Sequence, residues 1–387
     1  MHSNRRGASR YRAFRRVTIC VGAKADDVER KSAELLKARL TEASRVEVRV
    51  EEENAVSAQP ANCLMVLLGT PAHHAELARR LDVYRIKPPS ERDPGPEGFL
   101  VGCRTDATPS CVMAAGVDQR GVLYAVGEIL RRVGLGERSL RVPGDLEART
   151  APAFEVRGTQ YGQGGFAKRL AKVRDWTEDE TRRVILDYAL AGANTFMTAP
   201  GPMFDFIRSY GLMTHCEYFP NAGGGPPEWE AKESIGRKGY VCLSVPEGRR
   251  AQLERCEAFF SSSPSFDFVK FQGGDGGGCE CDRCRPYGLQ FIKLVEEMAA
   301  IIHKYHPRTR VWFTNQKFNN DDDNAIFRYL QEKPREWLWA WGYGPGSDAM
   351  SWQPGHRQTH RTDLFRYPGF GPPDRYNQEI VRQLPPQ

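Results

Sequence analysis

The 387-residue sequence has no run approaching the roughly 20 consecutive apolar residues that a membrane-spanning helix needs, so no membrane span is expected. Cysteine is sparse, at 10 residues, which excludes a disulfide-stapled scaffold. Six of the cysteines stand singly (Cys20, Cys63, Cys103, Cys111, Cys216 and Cys256), where small buried hydrophobes are expected. Excess charge is also slight: the net charge is +6, and much of it sits in Arg5, Arg6, Arg10, Arg12, Arg15 and Arg16. Such an arm can touch nucleic acid or acidic lipid, but a solvated, disordered basic tail over 1–15 is the simpler reading, and no nucleic-acid partner is expected. The arginines would suit the start of an export signal, yet Val17–Val21 is only strand-length where a longer apolar stretch should follow. A cytoplasmic location is expected for the chain as written, and an extracellular or periplasmic one if an export signal precedes it.

The 40% hydrophobic and 27% charged residues are those of an ordinary globular protein, and 387 residues exceed what one core usually serves. Two domains are expected. From 16 to 142, short apolar runs alternate with helical spacings. Val17–Val21, Val46–Val50, Cys63–Leu68, Gly98–Cys103 and Cys111–Ala115 read as strands. Asp26–Leu40 and Gly121–Val133 read as helices, the second closed by Gly134. A third helix follows Pro71, with His73 and His74 as exposed residues at its start. The sum is a small α/β layer domain. Residues 143–153 carry Pro143 and Pro152 and read as a linker.

From 154 to 387 the rhythm becomes strand, loop, helix. Strands are expected at Phe154–Arg157, Asn194–Thr198, Met213–Phe219, Phe266–Phe271, Val311–Thr314 and Trp337–Trp341. A capping box at Thr177 and Glu180 opens the first intervening helix. This alternation predicts a parallel β/α architecture, read as a (β/α)8-type TIM barrel whose six legible strands imply a C-terminally truncated barrel. A doubly wound open sheet is the rival.

Two regions resemble a known group. Gly116–Val126, with Glu97–Val101 before it, resembles the end of the non-catalytic N-terminal domain of bacterial β-hexosaminidases and α-glucuronidases. Phe154–Gly158 resembles the first barrel strand of hexosaminidase-like glycoside hydrolases, and Phe271-Gln272-Gly273-Gly274-Asp275 resembles their fourth-strand motif. The resemblance implies a sugar contact for Arg157 and an aspartate, Asp275, that orients a substrate acetamido group. In that group a glutamate follows as general acid; here the next residue is Gly276. The run Cys279-x-Cys281-x-x-Cys284 resembles a related set of bacterial barrel proteins with a glycine-rich acidic loop before such cysteines.

Asp275 follows an apolar strand inside a glycine-rich turn, which in a barrel puts its carboxylate at the catalytic face. Glycoside cleavage normally takes two carboxyls, and Glu217, near the end of the third strand, is the partner expected. Glu280 and Asp282 could replace the missing acid, but solvated loop positions suit them better. Tyr161, Trp341 and Tyr343 could stack on sugar faces, and Asn315 could bind hydroxyls. Strict alternation would place Trp337, Trp339 and Trp341 on one face. No cofactor is expected for catalysis.

Three cysteines in six residues can wrap a structural zinc, for which Cys242 is the expected fourth ligand beside Cys279, Cys281 and Cys284. Cys216 and His215 are alternatives to Cys242, and a disulfide plus a free thiol is the rival chemistry. Three functions remain open: a glycosidase acting on an oligosaccharide that contains amino sugar or uronic acid, a non-catalytic carbohydrate-binding relative, and a metalloprotein whose likeness to sugar enzymes is architectural.

Overall fold

The structure, a computed structural model, describes residues 11–55, 62–159, 177–232, 238–273, 278–314, 318, 320–332, 336–342 and 358–359. Their contacts separate two units. One holds the described residues up to 155 together with 177–194 and 205–212, and the other holds the rest.

In the first unit the apolar runs become the strands they promise. β1 (Tyr11–Phe14), β2 (Arg16–Val21), β3 (Glu47–Glu52), β4 (Cys63–Gly69), β5 (Phe99–Arg104), β6 (Cys111–Gly116), β7 (Gly134–Gly136), β8 (Ser139–Pro143) and β9 (Glu147–Thr150) form two sheets. The larger runs β3-β2-β4-β6-β5-β9, parallel from β3 to β6 and antiparallel beyond. The smaller, β1-β8-β7, is antiparallel. Helices α1 (Asp27–Ser44), α2 (Ala75–Val83), α3 (Gln119–Arg132) and α4 (Glu178–Leu190) complete the unit. Asp26 with Glu29, and Thr177 with Glu180, form capping boxes at the starts of α1 and α4, satisfying backbone N–H groups that the helices cannot. The single cysteines Cys20, Cys63, Cys103 and Cys111 are buried, and burial pushes the Cys20 thiol up to about 12, so it behaves as a small hydrophobe.

Four local expectations change here. Tyr11–Phe14, inside the basic stretch read as a tail, pairs with β8, and Glu147–Thr150, inside the stretch read as a linker, is the edge strand β9 on β5. Both strands are only four residues long and largely exposed, so their composition alone does not mark them as strands. Gly134 opens β7 rather than closing α3, because Val133 is already extended. His74 is 1% exposed rather than open to solvent. Its Nδ1 lies 2.9 Å from the Glu53 carboxylate and its Nε2 3.1 Å from the Cys20 carbonyl.

The second unit is built on β10 (Gly158–Thr159), β11 (Thr195–Met197), β12 (Met213–Tyr218), β13 (Phe268–Gln272), β14 (Arg310–Thr314), β15 (Leu338–Gly342) and β16 (Gln358–Thr359). Each strand pairs with the one before it, and all pairs are parallel. A doubly wound sheet reverses its strand order at a switch point. No reversal occurs among the described strands, so that rival is set aside. Among the described residues β16 does not pair back to β10. The first strand begins at Gly158 rather than Phe154, which is 47% exposed. The sequence also predicts a last helix over 374–381, which lies outside the described residues.

Helices α5 (Pro202–Arg208), α6 (Pro246–Ser262), α7 (Tyr287–Tyr305) and α8 (Asn320–Glu332) follow successive strands. Among the described residues, no helix is long and apolar enough to cross a membrane. The period-two pattern sorts the sheet into two faces. Cys216, Val269, Phe271, Val311 and Phe313 join Phe260, Phe291, Val295 and Met298 in the main core under α6 and α7. The alternate positions are where the polar side chains collect.

Candidate functional site

The ladder aligns Glu217 of β12 with Lys270 of β13, and Lys270 with Trp312 of β14. Period two therefore puts these three on the face turned away from the helical core, with His215 and Gln272 one step along their strands. Glu217 and Lys270 form an ion pair in which the lysine side chain is 1% exposed and the glutamate 18%. The Lys270 ammonium also lies 5.7 Å from the Trp312 ring centroid, close enough for a cation–π attraction. The His215 ring lies 5.8 Å from that of Trp312, and Thr314 donates to the Gln272 side-chain oxygen at 3.1 Å. His215 is wholly buried. Its pKa lies well below the usual imidazole value, first because burial disfavours the cation and then because Lys270 repels it.

The end of β12 is anchored from α6. Arg255 donates to the Phe219 carbonyl at 3.0 Å and to the Tyr218 hydroxyl at 3.3 Å. At the other end, Asp267 accepts from the Thr214 N–H at 2.8 Å, fixing β12 against β13. Glu217 and Lys270 thus sit on a braced pair of strands rather than on loops.

A second cluster lies beyond the strand ends. Cys242, ahead of α6, meets Cys279, Cys281 and Cys284, which precede α7. The four sulfurs all lie within 4.8 Å of one another. Cys242 Sγ is 3.7 Å from Cys281 Sγ and 3.6 Å from Cys284 Sγ. The Lys232 N–H points at the cluster, donating to Cys279 Sγ at 3.4 Å, and Ser244 Oγ lies 3.0 Å from Cys284 Sγ. The hydrogen bond from Cys284, aided by those from the Cys281 and Lys232 N–H groups, lowers the Cys279 pKa. Of the candidates weighed for the fourth position, Cys242 is the one grouped with the other three sulfurs, and His215 lies on the opposite face of the sheet from the main core.

Gly278 shapes the entry to this cluster. Its φ is +84°, a region that residues with a side chain rarely adopt, and a Cβ there would meet Tyr287 Cδ1 at 2.2 Å. Tyr287 is 4% exposed and packs on Phe318 and Phe291, so it has no room to retreat. Gly278→Ala is expected to cost about 1–3 kcal/mol, from crowding and strained backbone together. A fall in the urea unfolding midpoint measures this, and an unchanged midpoint would mean the turn is not held as described.

The other sequence-predicted residues fall as follows. Arg157 is half-buried just before β10, and its carbonyl accepts from the Thr195 N–H at 3.0 Å. Trp341 lies in β15 opposite Phe313 and Gln358. Glu280 and Asp282 are exposed, as solvated loop residues should be. Asp275, Tyr161, Asn315 and Tyr343 lie outside the described residues. Trp337 and Trp339 do not share a face. Trp337 packs on the main core and donates to Glu296 of α7 at 3.1 Å, whereas Trp339 packs on Phe268. A register shift opposite Val311 and Trp312 breaks the strict alternation. Lys270 was not anticipated from the sequence, although a lysine inside the apolar run Phe268-Val269-Lys270-Phe271 was the available signal.

No protein-family model matches the sequence, and no curated protein matches it. Among solved structures the chain is similar to a mutant Streptomyces plicatus β-hexosaminidase in complex with its product GlcNAc. The identity is 10%, 85% of this chain and 70% of that one are covered, and the TM-score is 0.50. It is also similar to a glycoside hydrolase family 20 β-N-acetylglucosaminidase at 12% identity, covering 81% of this chain and 69% of that one, with a TM-score of 0.47. A family 89 glycoside hydrolase from Clostridium perfringens, in complex with PUGNAc, gives 10% identity, 81% and 40% coverage and a TM-score of 0.48. At these identities the likeness to the first is one of fold.

Proposed function

We propose that this chain is a glycoside-hydrolase-like protein of the β/α-barrel type, acting on an oligosaccharide that contains amino sugar or uronic acid. The observation that carries the reading is the Glu217–Lys270 pair, a carboxylate and an ammonium side by side on the core-averted face of parallel strands. Open ends of such strands are where sugar-cleaving barrels gather their acids. The fold shared with the β-hexosaminidase supports the architecture, and the Phe271–Asp275 motif supports the placing of a second acid in the turn after β13.

In this reading Glu217 and Asp275 divide the work of glycoside cleavage. Glu217 faces the Lys270 ammonium and therefore suits the charged part, stabilising or attacking the oxocarbenium-like centre, or activating water there. Asp275 supplies the proton to the leaving oxygen, or orients an acetamido group if the substrate itself provides the nucleophile. Arg157, Tyr161, Asn315, Trp341 and Tyr343 would hold the sugar ring. A second reading, a carbohydrate-binding relative without turnover, is favoured by Gly276 where the resembling group carries its acid.

Aryl glycosides of N-acetylglucosamine, N-acetylgalactosamine and glucuronic acid, offered to the full chain, test the first reading. Asp275→Asn is expected to lower kcat by roughly 10²–10⁴-fold with little change in the unfolding midpoint. Turnover unaffected by that substitution would remove Asp275 from the chemistry. Sugar binding with no turnover in the unsubstituted chain would favour the second reading.

A further inference from the structure

We propose that Cys242, Cys279, Cys281 and Cys284 bind a single structural zinc ion that ties the connection after β12 to the connection after β13.

The first argument is metric. Four sulfurs each about 2.3 Å from a central zinc lie about 3.8 Å apart along the edges of a tetrahedron. The measured Sγ separations of 3.6 Å and 3.7 Å from Cys242 match that edge, and the remaining ones fall within 4.8 Å. Four thiols converging on a common centre is more than a disulfide requires, since a disulfide would use two sulfurs and give the other two no reason to gather.

The second argument is chemical. All four donors are thiols, and soft sulfur in a tetrahedral set selects zinc or iron over magnesium or calcium. Three of the four cysteines are buried and Cys281 is half-buried, so four protein ligands would close the coordination sphere and leave no place for substrate or water. This is the signature of a structural site rather than a catalytic one.

The third is the shell around the sulfurs. The Lys232 N–H donates to Cys279 Sγ at 3.4 Å. Ser244 Oγ lies 3.0 Å from Cys284 Sγ. Donors aimed at sulfur from its surroundings stabilise thiolate charge and orient ligands. The Cys284 N–H bonds the Cys281 carbonyl at 2.9 Å, the tight turn that lets both side chains reach one point.

The two arms of the site come from different connections. Cys242 is fixed to its own by the bond from its N–H to the Trp229 carbonyl at 2.7 Å, while Val241 N reaches the Asn221 carbonyl at 2.8 Å. Cys279 lies four residues after Asp275. Gln272 is held in β13, and metal would hold the chain again at Cys279. Zinc therefore joins Cys242 to Cys279, Cys281 and Cys284 without entering any reaction.

Metal analysis of the full chain, expressed in zinc-supplemented medium and purified without chelator, tests the proposal. The expected content is about one zinc per chain. Cys281→Ser, at the least buried ligand, and Cys242→Ser should each lose it, while Cys256→Ser, buried away from the cluster, should keep it. If a ligand variant fails to fold, the unsubstituted protein still decides the matter. Mercurial titration should release its zinc to a colorimetric chelator in step with thiol modification, and cobalt(II) exchanged into the site should show the intense absorption of tetrahedral thiolate coordination. Iron in place of zinc, protein free of metal, or an intact mass two hydrogens lighter than the reduced chain would each overturn it. None of these readouts depends on sugar turnover, so the zinc site and the hydrolase reading stand or fall separately.

Discussion

Glu217→Gln is expected to cost the second unit roughly 3–5 kcal/mol of stability, because it takes the carboxylate away from an ammonium that is buried. Lys270 has a side chain only 1% exposed, whereas Glu217 keeps 18%. The asymmetry decides which single change is worse. With Lys270→Met, water can still reach the carboxylate left behind, and the expected cost falls to about 1–3 kcal/mol. Glu217→Gln and Lys270→Met together remove both charges while keeping the side-chain volumes, so the double variant should regain most of the stability lost by the glutamine change. Urea unfolding followed by tryptophan fluorescence measures all three. Turnover should behave differently: if the carboxylate acts on the sugar, restoring the fold does not restore the reaction. A double variant that recovers both stability and turnover would make the pair scaffolding, and a Glu217→Gln midpoint equal to the parent's would show that the lysine is not enclosed as described.

The elements of the fold were legible because their signals are local. Apolar runs at Cys63 and Cys111, the helix start at Asp26 and the Thr177 capping box each lie within one segment, and each element appears within a few residues of its expected place. Signals that depend on distant partners were legible only in part. β9 reads as a linker until β5 is beside it, and His74 reads as exposed until Glu53 and Cys20 close over it. The tryptophan alternation failed at a register shift, which is a property of two strands and not of one. The cysteines show how far spacing reaches. Cys279, Cys281 and Cys284 announce themselves as a set, whereas Cys242, 37 residues earlier, was the expected fourth member among three candidates, and only the fold brings its sulfur to the others. Lys270 is the reverse case: one charge in an apolar strand carries meaning only once Glu217 is found opposite.

The stability of the fold is expected to fall as pH drops below about 6.5, and His215 is the group responsible for a separable part of the fall. Its imidazole is 0% exposed and stays neutral in the folded chain, because burial and the neighbouring Lys270 both oppose the cation. In the unfolded chain the same ring takes up a proton near the ordinary histidine value. Between that value and the depressed folded one, the unfolded state binds more protons than the native state, so unfolding is favoured as acid is added. The contribution is therefore complete above about pH 6.5 and is lost below it, at up to about 1.4 kcal/mol per pH unit. Other carboxylates and histidines titrate in the same range, so the useful quantity is a difference. His215→Gln cannot gain the proton, and its unfolding free energy should decline less steeply between pH 6.5 and 5 than the parent's, whatever its absolute stability. Lys270→Met gives a second handle, since removing the ammonium relieves one of the two causes of the shift and should narrow the window from its acid end. Parallel slopes for the parent and His215→Gln would mean that the imidazole titrates alike in both states, and so that water reaches the inner face of β12.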